Sequence, residues 1–136
     1  MALREHTCEV IFVACRNPVQ CRDATEAELL AVEEGLKLAL HWATLPFTVE
    51  TDCAEVIELI KDSTPNTSVY AFRIAAIHAL LKERSTGIVK ISRYANQASH
   101  ELAKLSRVQH RTAVWLRNFP EEITDAINND CNPIAV

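Results

Sequence analysis

The hydrophobic pattern changes period several times along the chain, and this alternation constrains the fold more than any single residue. Glu9-Val10-Ile11-Phe12-Val13-Ala14-Cys15 is a short apolar run closed by the turn-forming pair Asn17-Pro18, which predicts a strand buried on both faces. A further short strand is expected over Val19 to Arg22. From Ala24 to Trp42 the spacing becomes helical, with Leu29, Val32, Leu36 and Ala39 on one stripe and Glu33 and Lys37 as an exposed i, i+4 pair opposite. Phe47 to Asp52 alternates like a strand, and Cys53 to Lys61 reads as a helix carrying Val56, Ile57 and Ile60.

Pro65-Asn66-Thr67-Ser68 interrupts the chain, and Ser68 is placed to cap a helix running to Arg84. Gly87 ends that segment, Ile88 to Tyr94 reads as a strand, and Asn96 to Asn118 as one long helix containing Leu102, Leu105, Val108 and Trp115. A short helix is expected after Pro120, since proline suits a helix's opening turn. Strands alternating with helices specify an α/β domain.

A chain of 136 residues with 49% hydrophobic side chains is long enough for one cored domain and too apolar for disorder. The expected organisation is a domain over residues 1–118 and a tail over 119–136 with a short helix. No apolar run approaches the roughly 20 residues needed to cross a bilayer, so no membrane partner is expected. Charged Arg4, Glu5 and Glu9 interrupt any leader-like run. The five cysteines include no C-x-x-C pair, which argues against zinc and suits the reducing cytosol or nucleus.

The net charge of −4 conceals an asymmetry. Residues 1–81 carry 6 basic and 12 acidic side chains, residues 82–117 carry 8 basic and 2 acidic, and the remainder adds four acids. The basic segment suits either a polyanion or an ordinary solvated helix face.

Three polar residues stand out. Glu28 shares a helix face with Val32, Leu36 and Ala39, so it is either a carboxylate turned towards the sheet or a half-wet residue at the stripe's edge favoured by the helix dipole. Asp52 ends a strand and opens a helix, a position where α/β sheets collect ligand-binding groups; with Glu55 three residues on, it also resembles a capping box. His100 follows Arg93-Tyr94-Ala95-Asn96 at a strand-to-helix junction. Such a histidine is either a ligand or a packing residue, while His41, His78 and His110 have no acidic or cysteine partner at ligand spacing.

Taken together, Ala27-Glu28-Leu29-Leu30-Ala31, Glu50-Thr51-Asp52-Cys53 and the run from Arg93 to Lys104 resemble the ribonuclease H type 1 family. The likeness is to its plant, reverse-transcriptase-like branch, which shares the patterns Glu-x-Leu-x-Ala, Glu-Thr-Asp and Arg-x-x-Asn-x-x-Ala-[Asp/His]-x-Leu-Ala-Lys. It runs from about Ala2 to Lys104, and Trp115, Pro120 and Asp130 look like the same branch.

The resemblance implies a mixed sheet flanked by helices and a carboxylate site where two magnesium or manganese ions cut the RNA strand of an RNA/DNA hybrid. It assigns Glu28, Asp52 and His100 as catalytic and metal-binding residues, with His100 where an aspartate is usual. Imidazole brings no negative charge and suits magnesium less well than softer ions. Lys90, Arg93, Asn96, Lys104 and Arg107 are the expected nucleic-acid contacts, with Lys82, Arg84 and Arg111 as further phosphate neutralisers.

The chain begins at what resembles the family's second strand, and Arg4 to Glu9 form the following turn, with Cys8 in place of a glycine. No aspartate precedes Asp23, so the first strand and its ligand have no counterpart. The expectation is therefore a nucleic-acid-binding domain, by resemblance a hybrid ribonuclease, with weak or lost hydrolysis and self-association as one way to complete the sheet. The alternative is a non-catalytic structural or protein-interaction remnant of a mobile element.

Overall fold

A computed structural model describes residues 2–4, 10–15, 21–43, 47–65, 67–84, 86–109, 113–116 and 120–131. The elements are β1 (Ala2–Arg4), β2 (Val10–Cys15), α1 (Ala24–Trp42), β3 (Thr48–Thr51), α2 (Ala54–Lys61), α3 (Ala71–Glu83), β4 (Gly87–Lys90), α4 (Gln97–Gln109), β5 (Ala113–Leu116) and α5 (Thr124–Cys131). Short 3-10 turns at Arg93–Ala95 and Glu121–Ile123 lead into α4 and α5. The fold is mixed α/β, as the alternating periods predict.

The chain divides into two compact units, one formed by Gln20–Ile91 and the other by Met1–Val19 with Ser92–Val136. In Gln20–Ile91, β3 and β4 pair in parallel with Val49 opposite Ile88, and the amide of Ile91 extends the ladder to the Thr51 carbonyl at 2.9 Å. Leu29, Val32 and Leu36 of α1, Val56 and Ile60 of α2, Ile74 and Ile77 of α3 and Ile88 of β4 form the core. Each fully buried aliphatic side chain contributes about 1.5 to 3 kcal/mol relative to exposure.

In the other unit β2 is the middle strand, antiparallel to β1 on one side and to β5 on the other. The register with β1 shifts between Leu3 and Arg4. Ala98 and Leu102 of α4, Ile123, and Ala126 and Ile127 of α5 are buried. The helix expected after Pro120 is thus α5, and its packing partner is α4.

Five local expectations change. The long helix over Asn96 to Asn118 ends at Gln109, and Ala113–Leu116 is a strand, because a β-branched and an aromatic residue there complete a ladder with β2. Val108 is correspondingly exposed. The strand expected over Ile88 to Tyr94 ends at Lys90, and Ser92 then starts a 3-10 turn by accepting the Ala95 amide on its hydroxyl. Ser68 does not cap α3: its hydroxyl accepts the amide of Tyr70 at 3.2 Å, a local turn that delays the helix to Ala71. Cys21 and Arg22 are not strand but lead into α1, while Val19 lies outside the described residues. So do the turn at Glu5 to Glu9, including Cys8, and His110 and Arg111.

The pair Glu33 and Lys37 exists, at 3.2 Å, but Glu33 is buried rather than exposed. Arg73 of α3 reaches it from the other side, its Nη1 donating to Glu33 Oε2 at 3.0 Å.

Candidate functional site

Glu28 and Asp52 both belong to the unit Gln20–Ile91, and the local sequence explains their placement. Asp23 caps α1 by accepting the Glu26 amide at 2.8 Å, and the Glu26 carboxylate accepts the Arg22 amide at 2.5 Å, so the helix start is fixed two turns or fewer from Glu28. Glu28 is half-buried, at the margin of the stripe formed by Leu29, Val32 and Leu36. Of its two sequence readings, the half-wet edge position is the one observed.

Asp52 follows the last residue of β3 and is half-buried. The capping-box reading puts the N-cap one residue early: Cys53 is the N-cap of α2, and its own side chain makes no cap bond. Thr51 instead accepts the Cys53 amide on its hydroxyl at 3.2 Å, and the Glu55 carboxylate accepts the Thr25 hydroxyl at 2.8 Å. That last bond ties the first turn of α1 to the first turn of α2. Glu28 stands one turn beyond Thr25, and Asp52 three residues before Glu55, so each carboxylate lies about one turn of chain from the tie.

His100 lies in the other unit, half-buried in the second turn of α4. Glu28, Asp52, Asn96 and His100 all have interaction partners. Among the described residues no three His, Cys, Asp or Glu side chains form a cage for a metal ion. His78 is a packing residue, its Nε2 donating to the Ile60 carbonyl at 2.7 Å, and His41 stacks edge-to-face on Trp42 at 4.9 Å. Cys21 and Cys53 are not in a disulfide.

The expected nucleic-acid contacts separate by what they touch. Lys82 and Lys90 are exposed on the unit Gln20–Ile91. Arg84 is not available to phosphate: its guanidinium donates to the carbonyls of Ala43 and, at 3.4 Å, Leu40, and stands 5.9 Å from the Phe47 ring. It closes the C-terminus of α1, where the dipole favours a cation. Arg93, Lys104 and Arg107 are exposed on the other unit, and none of them forms an ion pair among the described residues.

Two acids gain roles the sequence reading did not give them. Asp130, buried on α5, accepts the amides of Gln97 and Ala98 at 2.8 Å each, capping α4 from a distant segment. Asp23 accepts the hydroxyl of Tyr70 at 2.5 Å in addition to capping α1. That hydrogen bond, followed by the Glu26 amide, holds the Asp23 carboxyl below the ordinary carboxylate range and pushes the Tyr70 hydroxyl above its own. The Asp23-x-x-Glu26 spacing was a readable signal for the Asp23 cap; nothing in the local sequence signals the Asp130 cap.

No helix among the described residues is long and apolar enough to cross a membrane. No curated protein and no solved structure matches the chain. Residues 1–106 match the family described as Reverse transcriptase-like, a span that includes Glu28, Asp52 and His100 and agrees with the reach of the sequence resemblance. With that match over well more than half of its length, and with a mixed α/β architecture to carry it, the chain belongs to the reverse transcriptase-like family of ribonuclease H-like, nucleic-acid-related domains.

Proposed function

We propose that this domain binds nucleic acid through its phosphate backbone, with RNA/DNA hybrid as the substrate class and hydrolysis weak or lost. The observation that carries the reading is the state of the cations on Ser92–Gln109. Arg93, Lys104 and Arg107 are solvated and make no ion pair among the described residues, and Glu101 is the one acid in that stretch. Cations with no internal partner are those that release counterions when phosphate replaces solvent. Contacts of this kind set register and affinity and carry little sequence preference.

Glu28 and Asp52 are the residues that would hold a divalent cation, as a single hydrated ion. Magnesium takes oxygen ligands and is usually held by one or two carboxylates together with waters and substrate phosphates, which is what Glu28 and Asp52 offer. When bound, it would polarise the scissile phosphate and lower the pKa of an attacking water. Two carboxylates carry too little negative charge to offset two such cations, and this is the reason hydrolysis is expected to be weak.

Filter binding of a labelled hybrid across a salt series tests the binding claim. The logarithm of affinity is expected to fall linearly with the logarithm of salt concentration, with a slope of about −0.9 per phosphate neutralised. Affinity indifferent to salt would remove the phosphate track. Incubation of the same hybrid with magnesium or manganese tests the chemistry: any cleavage is expected to vanish in Glu28→Gln and Asp52→Asn, and cleavage that survives both would place the reaction elsewhere.

A further inference from the structure

Tyr94 is 85% exposed, in a segment that is otherwise tightly held. The 3-10 turn that carries it is closed by the Ala95 amide on the Ser92 carbonyl at 3.0 Å and by the Asn96 amide on the Arg93 carbonyl at 3.2 Å. The carbonyl of Tyr94 itself accepts from the Gln97 side-chain amide at 3.0 Å, and the Gln97 side-chain oxygen in turn accepts from Asn129 at 3.4 Å. Asp130 then fixes the first two amides of α4. An aromatic ring projects into solvent from a backbone that four hydrogen bonds of this network, and the Asp130 cap, hold in place. Its presentation costs little conformational entropy on binding.

The surface beside it is cationic. Arg93 is its exposed neighbour, and Lys104 and Arg107 lie on the outward stripe of α4, opposite buried Ala98 and Leu102. Along α4, from Gln97 to Arg107, the backbone rises about 15 Å at roughly 1.5 Å per residue, enough for a few nucleotides of one strand. A flat ring next to a line of unpaired cations matches a ligand that alternates π-faces with phosphates.

We propose that Tyr94 is a stacking platform for an unpaired nucleobase of a polynucleotide whose phosphates run along Lys104 and Arg107. This rests on the nucleic-acid-binding reading above and narrows it: the preferred ligand has a single-stranded segment joined to the duplex. Stacking is indifferent to base identity, since every base has a π-face, so the platform adds affinity for unpaired structure and not for sequence.

Fluorescence anisotropy with the full chain tests this on three labelled probes: a blunt RNA/DNA hybrid, the same hybrid with a single-stranded overhang, and that overhang made abasic. The wild type is expected to favour the normal overhang over the other two. Tyr94→Ala should weaken binding to that probe about fivefold to a hundredfold, leave the blunt hybrid unchanged and keep the salt slope, while Tyr94→Trp retains the preference. Lys104→Gln and Arg107→Gln should each lower the salt slope by about 1 on all three probes.

Equal loss on blunt and overhanging probes in Tyr94→Ala would make the residue structural and overturn the platform. So would an overhang preference that survives Tyr94→Ala, or one that persists on the abasic probe; in each case nucleic-acid binding itself still stands. Absence of binding to every probe by the wild type would sink the underlying reading instead.

Discussion

Three cations of the unit Gln20–Ile91 are held by protein partners, in contrast to three on the segment Ser92–Gln109 of the other unit. In Gln20–Ile91, Arg73 bridges Glu33 and Glu26, Lys37 bridges Glu33 and Glu34, and Arg84 closes the end of α1. In the unit containing Ser92–Gln109, Arg93, Lys104 and Arg107 are exposed and make no ion pair among the described residues, while buried Asp130 holds the start of α4. Equal charges in the sequence therefore have unequal prospects. A cation that already satisfies a carboxylate or a carbonyl must give up that bond to take a phosphate, whereas a solvated one gives up only water and counterions.

The sharpest way to break this contrast is to remove a cation from each side. Arg73→Gln strips Glu33 of its guanidinium and leaves a buried carboxylate with Lys37 alone; a loss of about 2 kcal/mol is expected, between the values for exposed and fully buried pairs. Arg73 Nε, shielded from solvent, has no hydrogen-bond partner among the described residues and lies 3.7 Å from Glu26 Oε1, so part of the guanidinium's desolvation is already uncompensated. Replacing Lys104 or Arg107 by Gln should change stability by less than about 0.5 kcal/mol, as for other exposed sites. Urea denaturation measures both arms. Equal destabilisation on the two sides would remove the distinction on which the phosphate track depends.

Asp130 sharpens the same comparison from the acidic side. Asp130→Ala leaves two amides of α4 without their acceptor, one of them buried, and should cost about 1 to 2 kcal/mol. Hydrogen exchange is expected to speed up first at Ala98 and its neighbours in α4. Faster exchange confined to α5 would mean that the carboxylate serves its own helix rather than the start of α4. Arg84→Gln is expected to cost less, about 1 kcal/mol, because the frayed end of α1 can recover water for its carbonyls.

These contrasts mark what could be read in the sequence. The bounds of α1 were legible because an apolar stripe of about three turns and alanine- and leucine-rich content agree over Ala24–Trp42. The strand at Ala113–Leu116 was not, because four apolar residues suit a helix or a strand equally, and the choice is made by pairing with β2 near the opposite end of the chain. Glu28 and Asp52 were legible as motif residues and were correctly given to one helix and one strand end. The bond between Thr25 and Glu55 that ties their segments together depends on packing, which spacing does not encode. Charge counting failed at Arg84 for a related reason: its partners are backbone carbonyls, which carry no sequence signature.

The smallest effect concerns the solvent-exposed pair of Asp23 and Tyr70, and it bears on whether the unit Gln20–Ile91 is fastened by polar ties at its helix starts as well as by its core. Tyr70 and the Glu26 amide hold the Asp23 carboxyl below its usual 3.8, so the folded state releases this proton more readily than the unfolded one. The stability it contributes is present above about pH 4 and is lost as the pH falls through the depressed folded value. Tyr70 has the opposite sign. Its hydroxyl is held above 10.0 by Asp23, so its contribution is present below pH 10 and is lost as the pH rises through the raised value. Thermal melts followed by circular dichroism from pH 2 to pH 11 should therefore fall at both ends. Tyr70→Phe should flatten the alkaline limb and part of the acid one, while Asp23→Asn should flatten the acid limb further and lower the plateau, because the amide is a weaker acceptor for the tyrosine hydroxyl. Asp62, held low by the amide and hydroxyl of Thr64, leaves a residual acid limb in both variants. An alkaline limb unchanged by Tyr70→Phe would show that the tie between the starts of α1 and α3 adds nothing to the core beneath it.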